Sequence, residues 1–125
     1  MHGNHPNRDN NPGNVISSEL AKGHDQIGKD GKFAIFPSAA DGWNAAMDLL
    51  SNTYSNSTIF ATIQSWAPPE DGNDTESYKK GIESQTGIKG STVVKTLDEA
   101  QKKSVVTAIS KREGWSGVSY DNRND

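Results

Sequence analysis

A mainly helical domain of the α+β class, with one small β-hairpin near its N-terminal third, is what these 125 residues predict. Three observations carry that expectation. Four segments carry apolar residues behind helix-capping residues, and the first of them, Trp43, Ala46, Met47 and Leu50, has i, i+3, i+4, i+7 spacing. One Asp-Gly pair stands before a short alternating apolar stretch, the usual mark of a hairpin. The chain is long enough for one hydrophobic core, yet only 31% of it is hydrophobic, so its apolar residues must be used sparingly.

The segment over 1–14 reads MHGNHPNRDNNPGN and contains five Asn, two Pro and two Gly. Such a composition opposes a long helix or a central strand. Residues 1–9 are expected to be flexible, and a single domain is expected over 10–115. Residues 26–36 read QIGKDGKFAIF. A type I′ turn at Asp30-Gly31, followed by Phe33 and Ile35, predicts the hairpin. The period then changes. Ser38 and Asp41 stand in capping-box spacing, and Trp43, Ala46, Met47 and Leu50 form one stripe, predicting a helix over 39–52. Ser57 can cap a second helix whose face is Ile59, Phe60, Ile63 and Trp66. Pro68-Pro69 ends it. After Glu70-Asp71-Gly72, Asn73 or Asp74 caps a third helix, with Tyr78 and Ile82 inward and Gly87 at its end. Thr96-Leu97-Asp98-Glu99 reads as a capping box for a fourth helix. That helix carries Leu97, Val105, Val106 and Ile109 and runs to about Glu113 before Gly114. The tail over 116–125 is polar and is expected to be loose.

Composition excludes several classes. Lys plus Arg is 13 and Asp plus Glu is 16, a net charge of −3. A general nucleic-acid binder would need a basic face. There is no cysteine, hence no disulfide, thiol nucleophile or Cys-based zinc site. No stretch approaches the length of a membrane span. Residues 1–12 lack an apolar signal-peptide core, so action in the periplasm or cell wall would require phage release or delivery by a secretion system. His2, His5 and His24 could hold a metal only with Asp9 or Asp25 and only on a rigid frame. No metal and no cofactor are predicted. Nucleotide-binding glycine loops and the Gly-x-Ser-x-Gly elbow are absent.

Carboxylates remain. Glu70-Asp71, after the double proline, reads as a polar loop. Glu113 is less ordinary. A negative charge at a helix C-terminus is disfavoured by roughly 0.3–1 kcal/mol. A carboxyl set against exposed carbonyls and the Trp115 indole would have a raised pKa, as a general acid needs. The alternative is a side chain pointing into water beside Arg112.

Asn10-Asn11-Pro12-Gly13-Asn14, then Phe33 to Phe36 with Ser38 and Gly42, then Trp66-Ala67-Pro68-Pro69 with Asn73-Asp74-Thr75 and Tyr78, resembles a phage and prophage family. Its members are described as virion-associated or structural proteins, and related domains look lysozyme-like. The resemblance covers about residues 10 to 114, and this chain departs from the pattern by one inserted residue, Gly72. A second resemblance is to peptidoglycan glucosaminidases, in which a helix ending in Glu-Ser-Gly-Trp precedes an Asn-x-x-Gly segment and a hairpin. Glu113-Gly114-Trp115 is similar to that helix end. The segment over 11–14 and the hairpin are similar to what should follow it, but they lie at the other end of the chain. The two resemblances together imply a circularly permuted lysozyme-like domain.

What they imply is cleavage of the glycan strand of peptidoglycan, between N-acetylmuramic acid and N-acetylglucosamine, by a muramidase or lytic transglycosylase. Glu113 would be the acid. Asp25 and Asp30 are the candidates for the second carboxylate, unless the substrate's acetamido group acts as internal nucleophile. Asn11 and Asn14 would bind acetamido groups or fix their own loop. Trp66 would stack on sugar or fill the core, and Tyr78 would bond substrate or Glu113. Phe36 and Trp43 read as core. The competing class is non-enzymatic: a virion structural or peptidoglycan-binding module. As an antibacterial effector, the same domain would have an immunity protein as partner.

Overall fold

The computed structural model describes residues 5–16 and 18–120. His2 lies outside them. The domain is mainly helical, 55% of it, with a two-stranded antiparallel hairpin. Helices α1 (His5–Arg8) and α2 (Glu19–Lys22) are single turns. Strands β1 (Gly28–Asp30) and β2 (Phe33–Ile35) follow, then α3 (Ala39–Asp48), α4 (Ile59–Trp66), α5 (Thr75–Thr86) and α6 (Glu99–Glu113).

The hairpin forms where expected, but its turn is shifted. Asp30 pairs with Phe33, so the two loop residues are Gly31 and Lys32. Of these only Gly31 has positive φ, +62°. A type I′ turn needs two such residues, and glycine alone at the first position suits the II′ family.

The α3 cap is as read: Ser38 Oγ accepts from Asp41 N at 3.2 Å. The helix does not continue regularly to residue 52. It passes into a π-helical turn over Leu49–Thr53, which keeps Leu50 fully buried. The α4 cap is Thr58 rather than Ser57, and the α6 cap is Asp98 rather than Thr96. Asp98 forms a reciprocal box with Gln101, satisfying two backbone N–H groups at once. Asp74 caps α5 as expected.

The core gathers Trp43, Leu50, Ile59, Ile63, Ile82, Val105, Val106 and Ile109 from α3 to α6 and the π turn. The α5 and α6 helices make the most extensive interhelical contact. Contacts on both sides of the 10–115 segment also tie residues 7–9 and 116–120 to this core. At the front, Asp9 O accepts from Phe36 N, and Asn7 bonds to Gly114 O and Ser116 N across 107 and 109 positions. At the back, Tyr120 is buried and stacks on Trp43, with centroids 5.2 Å apart. The indoles of Trp43 and Trp115 both donate to Val118 O, at 3.1 and 2.9 Å. The expected loose tail is therefore packed through residue 120; residues 121–125 lie outside the described residues.

The N-terminal loop over 10–14 crosses α3 at Gly42. A Cβ there would stand 2.1 Å from the Asn10 carbonyl oxygen and 2.8 Å from Pro12 Cδ, so only glycine permits the crossing. Asn10 and Asn14 both sit at φ +53°, which asparagine tolerates better than most residues. Beyond the loop, Val15 O accepts from Ala34 N, which ties the loop to β2. Among the described residues no helix is long and apolar enough to cross a membrane.

Candidate functional site

The last residue of α6, Glu113, is 4% exposed. Gly114 follows at φ +99°, and Trp115 N returns to Ser110 O at 2.9 Å. This left-handed closure satisfies carbonyls that the carboxylate would otherwise face. Glu113 instead turns inward. Tyr78 Oη, on the inner face of α5, donates to Oε2 at 2.8 Å. Asn14 Nδ2 donates to Oε1 at 3.2 Å. Three segments separated by up to 99 positions thus converge on one carboxyl group. The expected indole neighbour is elsewhere: Trp115 packs edge-on against Trp43, with centroids 6.0 Å apart.

Burial, together with the charge of Glu113 and its hydrogen bond, holds the Tyr78 phenol well above its ordinary value of 10.0; nearby Arg112 opposes this. Tyr78 is therefore a fixed donor at neutral pH. Arg112 lies over the Tyr78 ring, 5.6 Å from its centre, and donates to Ser77 Oγ at 2.8 Å.

Glu113 and Tyr78 line a concavity of about 220 Å³ with Gly72, Asn73, Asp74 and Arg112. Its rim is built by the segment after the double proline. Asn73 Nδ2 donates to Pro68 O, and Thr75 Oγ1 donates to Ala67 O. Gly72 closes a short 3-10 turn over Pro69–Asp71 with φ +83°.

A second hollow, of about 150 Å³, is lined by Asn14, Val15, Ile16, Ser18, Leu49, Tyr54, Ser65 and Trp66. Trp66 is half-buried, donates Nε1 to Gly13 O at 2.7 Å, and lies 6.2 Å from Tyr54, tilted 34°. It is thus both a support for the loop and a wall of the hollow. Another hollow, of about 660 Å³, lies along α5 and α6 between Gln85 and Thr107 and contains none of the expected site residues.

The fold brings together Glu113, Tyr78 and Asn14 and places Trp66 beside Asn14. It does not bring in the other three candidates. Asn11 is fully buried; it donates to Val15 O and Ala34 O and accepts from Val15 N, so it holds the loop and has no face for a ligand. Asp30 is held by Arg8 on the surface, at 2.5 Å. Asp25 sits exposed in a left-handed turn before β1. Neither lines the Glu113 concavity. The carboxylate that does is Asp74, which sequence reasoning assigned only to helix capping. Its Oδ1 does cap, accepting from Ser77 N. Arg112, in the sequence only a neighbour of Glu113, lines the same concavity. The available signal for Asp74 is its place in the Asn73-Asp74-Thr75 motif, four residues before Tyr78. His24 is paired with Asp48 at 2.8 Å. No protein-family model and no curated protein matches this chain.

Proposed function

We propose that this chain cleaves the glycan strand of bacterial peptidoglycan, with Glu113 as the general acid. One observation carries the reading: a buried carboxyl at a helix end, held by Tyr78 and Asn14, forms part of a concavity that also contains Asp74 and Arg112. In this mechanism Glu113 passes its proton to the glycosidic oxygen as the bond breaks. Tyr78 and Asn14 fix the direction of the carboxyl. Asp74 takes the place of Asp25 and Asp30 as the second carboxylate, unless the substrate's own acetamido oxygen attacks. We read the domain as lysozyme-like and circularly permuted. In support, the α6 end and the loop before the hairpin meet through Asn14 and Glu113, and Asn7 bonds to Gly114 and Ser116 just beyond α6.

The test is clearing of purified sacculi by the wild-type chain and by Glu113→Gln, with mass spectrometry of the products. Clearing by the wild type alone supports the reading, and anhydro ends identify a lytic transglycosylase. A second reading, a non-catalytic peptidoglycan-binding or virion structural module, is favoured by the near-complete burial of Glu113. A carboxylate acting only as a tie between three segments has the same surroundings. Absence of clearing by the wild type, with co-sedimentation on sacculi, would select it.

A further inference from the structure

Arg112 belongs to two concave regions. On one side it borders the Glu113 concavity, which also holds Asp74. On the other it borders a hollow of about 240 Å³ between α5 and α6, with Gly81, Ile82, Gln85, Ala108 and Lys111. The wall of this second hollow has two cationic side chains and no carboxylate among the described residues. Neither Lys111 nor Arg112 forms an ion pair among the described residues. The guanidinium is nevertheless fixed. Nη2 donates to Ser77 Oγ at 2.8 Å, and Cζ lies 5.6 Å from the centre of the Tyr78 ring. A guanidinium held on an aromatic face keeps its other N–H donors in a rigid fork.

Gly81 leaves that fork uncovered. It stands in the middle of α5 without a positive φ. Glycine there weakens a helix relative to alanine. The backbone does not demand it, and neither does packing. A Cβ built at Gly81 would stand 3.8 Å from Arg112 Nη1, an ordinary contact and the only one within 4 Å among the described residues. The α6 dipole favours positive charge in this last turn. It does not account for the bare α5 backbone opposite. Together these features keep a space open in front of a fixed cation that has no counter-charge.

We propose that this hollow is a carboxylate-binding pocket beside the acid: a ligand carboxylate accepts from Arg112 Nη1 over Gly81, with Lys111 adding positive charge. The inference rests on the glycan-strand reading for its ligand. Peptidoglycan presents carboxylates in two places: the lactyl group of muramic acid where the stem peptide has been removed, and the stem peptide itself. Arg112 is then a specificity residue. It takes no part in proton transfer and favours an anionic strand over a neutral glycan next to Glu113.

The experiment uses the wild-type chain and probes without a glycosidic bond, so nothing is cleaved. N-acetylmuramic acid and its lactamide form one pair. An N-acetylated alanyl-glutamate stem dipeptide and its diamide form the other. NMR follows the Gly81 backbone amide and the Arg112 Nε–H. The expected result is that an acid probe moves both signals and binds about tenfold or more tightly than its own amide. Response to N-acetylmuramic acid assigns the lactyl group as source; response to the dipeptide alone assigns the stem. Arg112→Gln should abolish the preference. Gly81→Leu, which covers Nη1, should do the same. Gly81→Ala should raise the urea midpoint, because the helix gains and no side chain is displaced.

Equal binding of acid and amide overturns the proposal. So does a preference that survives Arg112→Gln, or no binding of any probe. A lower urea midpoint for Gly81→Ala also overturns it, since the glycine would then serve packing. The sacculus assay separates the two claims. Clearing without charge preference keeps the enzyme and removes the pocket; charge preference without clearing keeps the pocket and removes the enzyme.

Discussion

Asn11 and Asn14 stand three residues apart in one loop, and both are buried. Asn11 spends its whole amide on the backbone of Val15 and Ala34. Asn14 gives its N–H to a carboxylate on α6 and keeps an acceptor with no partner among the described residues. The first is a brace that docks the loop onto β2. The second leaves a polar atom unsatisfied at the point where loop, helix end and hollow meet. An unpaired buried acceptor weakens the native state, so the two residues contribute to it unequally.

The largest effect should come from breaking the brace. Asn11→Ala strands the Val15 N–H and takes one donor from each of the Val15 and Ala34 carbonyls, and should cost about 3 kcal/mol, read as a lower urea midpoint. Tyr78→Phe should cost less, about 1–2 kcal/mol, since one donor to the Glu113 carboxyl is lost. It should also alter the alkaline limb of the stability profile. The folded phenol titrates above its ordinary value, so its contribution is complete below pH 10.0 and is lost as pH rises past that value. The Phe variant should lack that part of the decline. Asn14→Gly should cost about 1 kcal/mol, because the loss of the other donor to Glu113 is offset in part by a glycine that accepts the left-handed backbone, read again as the urea midpoint. Smallest is His24→Ala, below about 1 kcal/mol, since the His24–Asp48 pair is partly exposed. Burial alone would raise the Asp48 pKa, but bonds from His24 and Asn52 outweigh it and hold it below 3.8. That contribution is therefore present above pH 3.8 and lost as pH falls further, which acid titration of wild type and variant would reveal.

Much of this arrangement was legible because local rules and tertiary structure agree. Ser38, Asp74, Gly87 and Gly114 act at helix ends as their types suggest, and the stripes of Trp43–Leu50 and Ile59–Ile63 face the core. The misplacements are local too. Thr58 and Asp98 displaced Ser57 and Thr96 as caps because neighbouring residues could serve the same bond. Glu113 stood out through its unfavourable charge at a helix end, yet its partners come from segments 35 and 99 positions away. No spacing rule reports such a meeting. Asp25 and Asp30 were candidates through nearness to the hairpin in the chain, whereas Asp74 reaches the concavity through the packing of α5 on α6. Asn11 and Asn14 could not be separated, since the same motif holds both and only the third dimension assigns their bonds. The order of residues 5–9 and 116–120 was hidden for a similar reason: polar segments pack here through Asn7 and through the Val118 carbonyl between two indoles.

The most direct test of the central claim is to measure stability and sacculus clearing on one preparation of Glu113→Gln. Glutamine keeps the shape and can still accept from Asn14, but it cannot supply the proton. The account predicts an urea midpoint close to wild type with clearing reduced about a hundredfold or more. Clearing that survives in a stable Gln variant, or that falls only in step with the folded fraction, would contradict it.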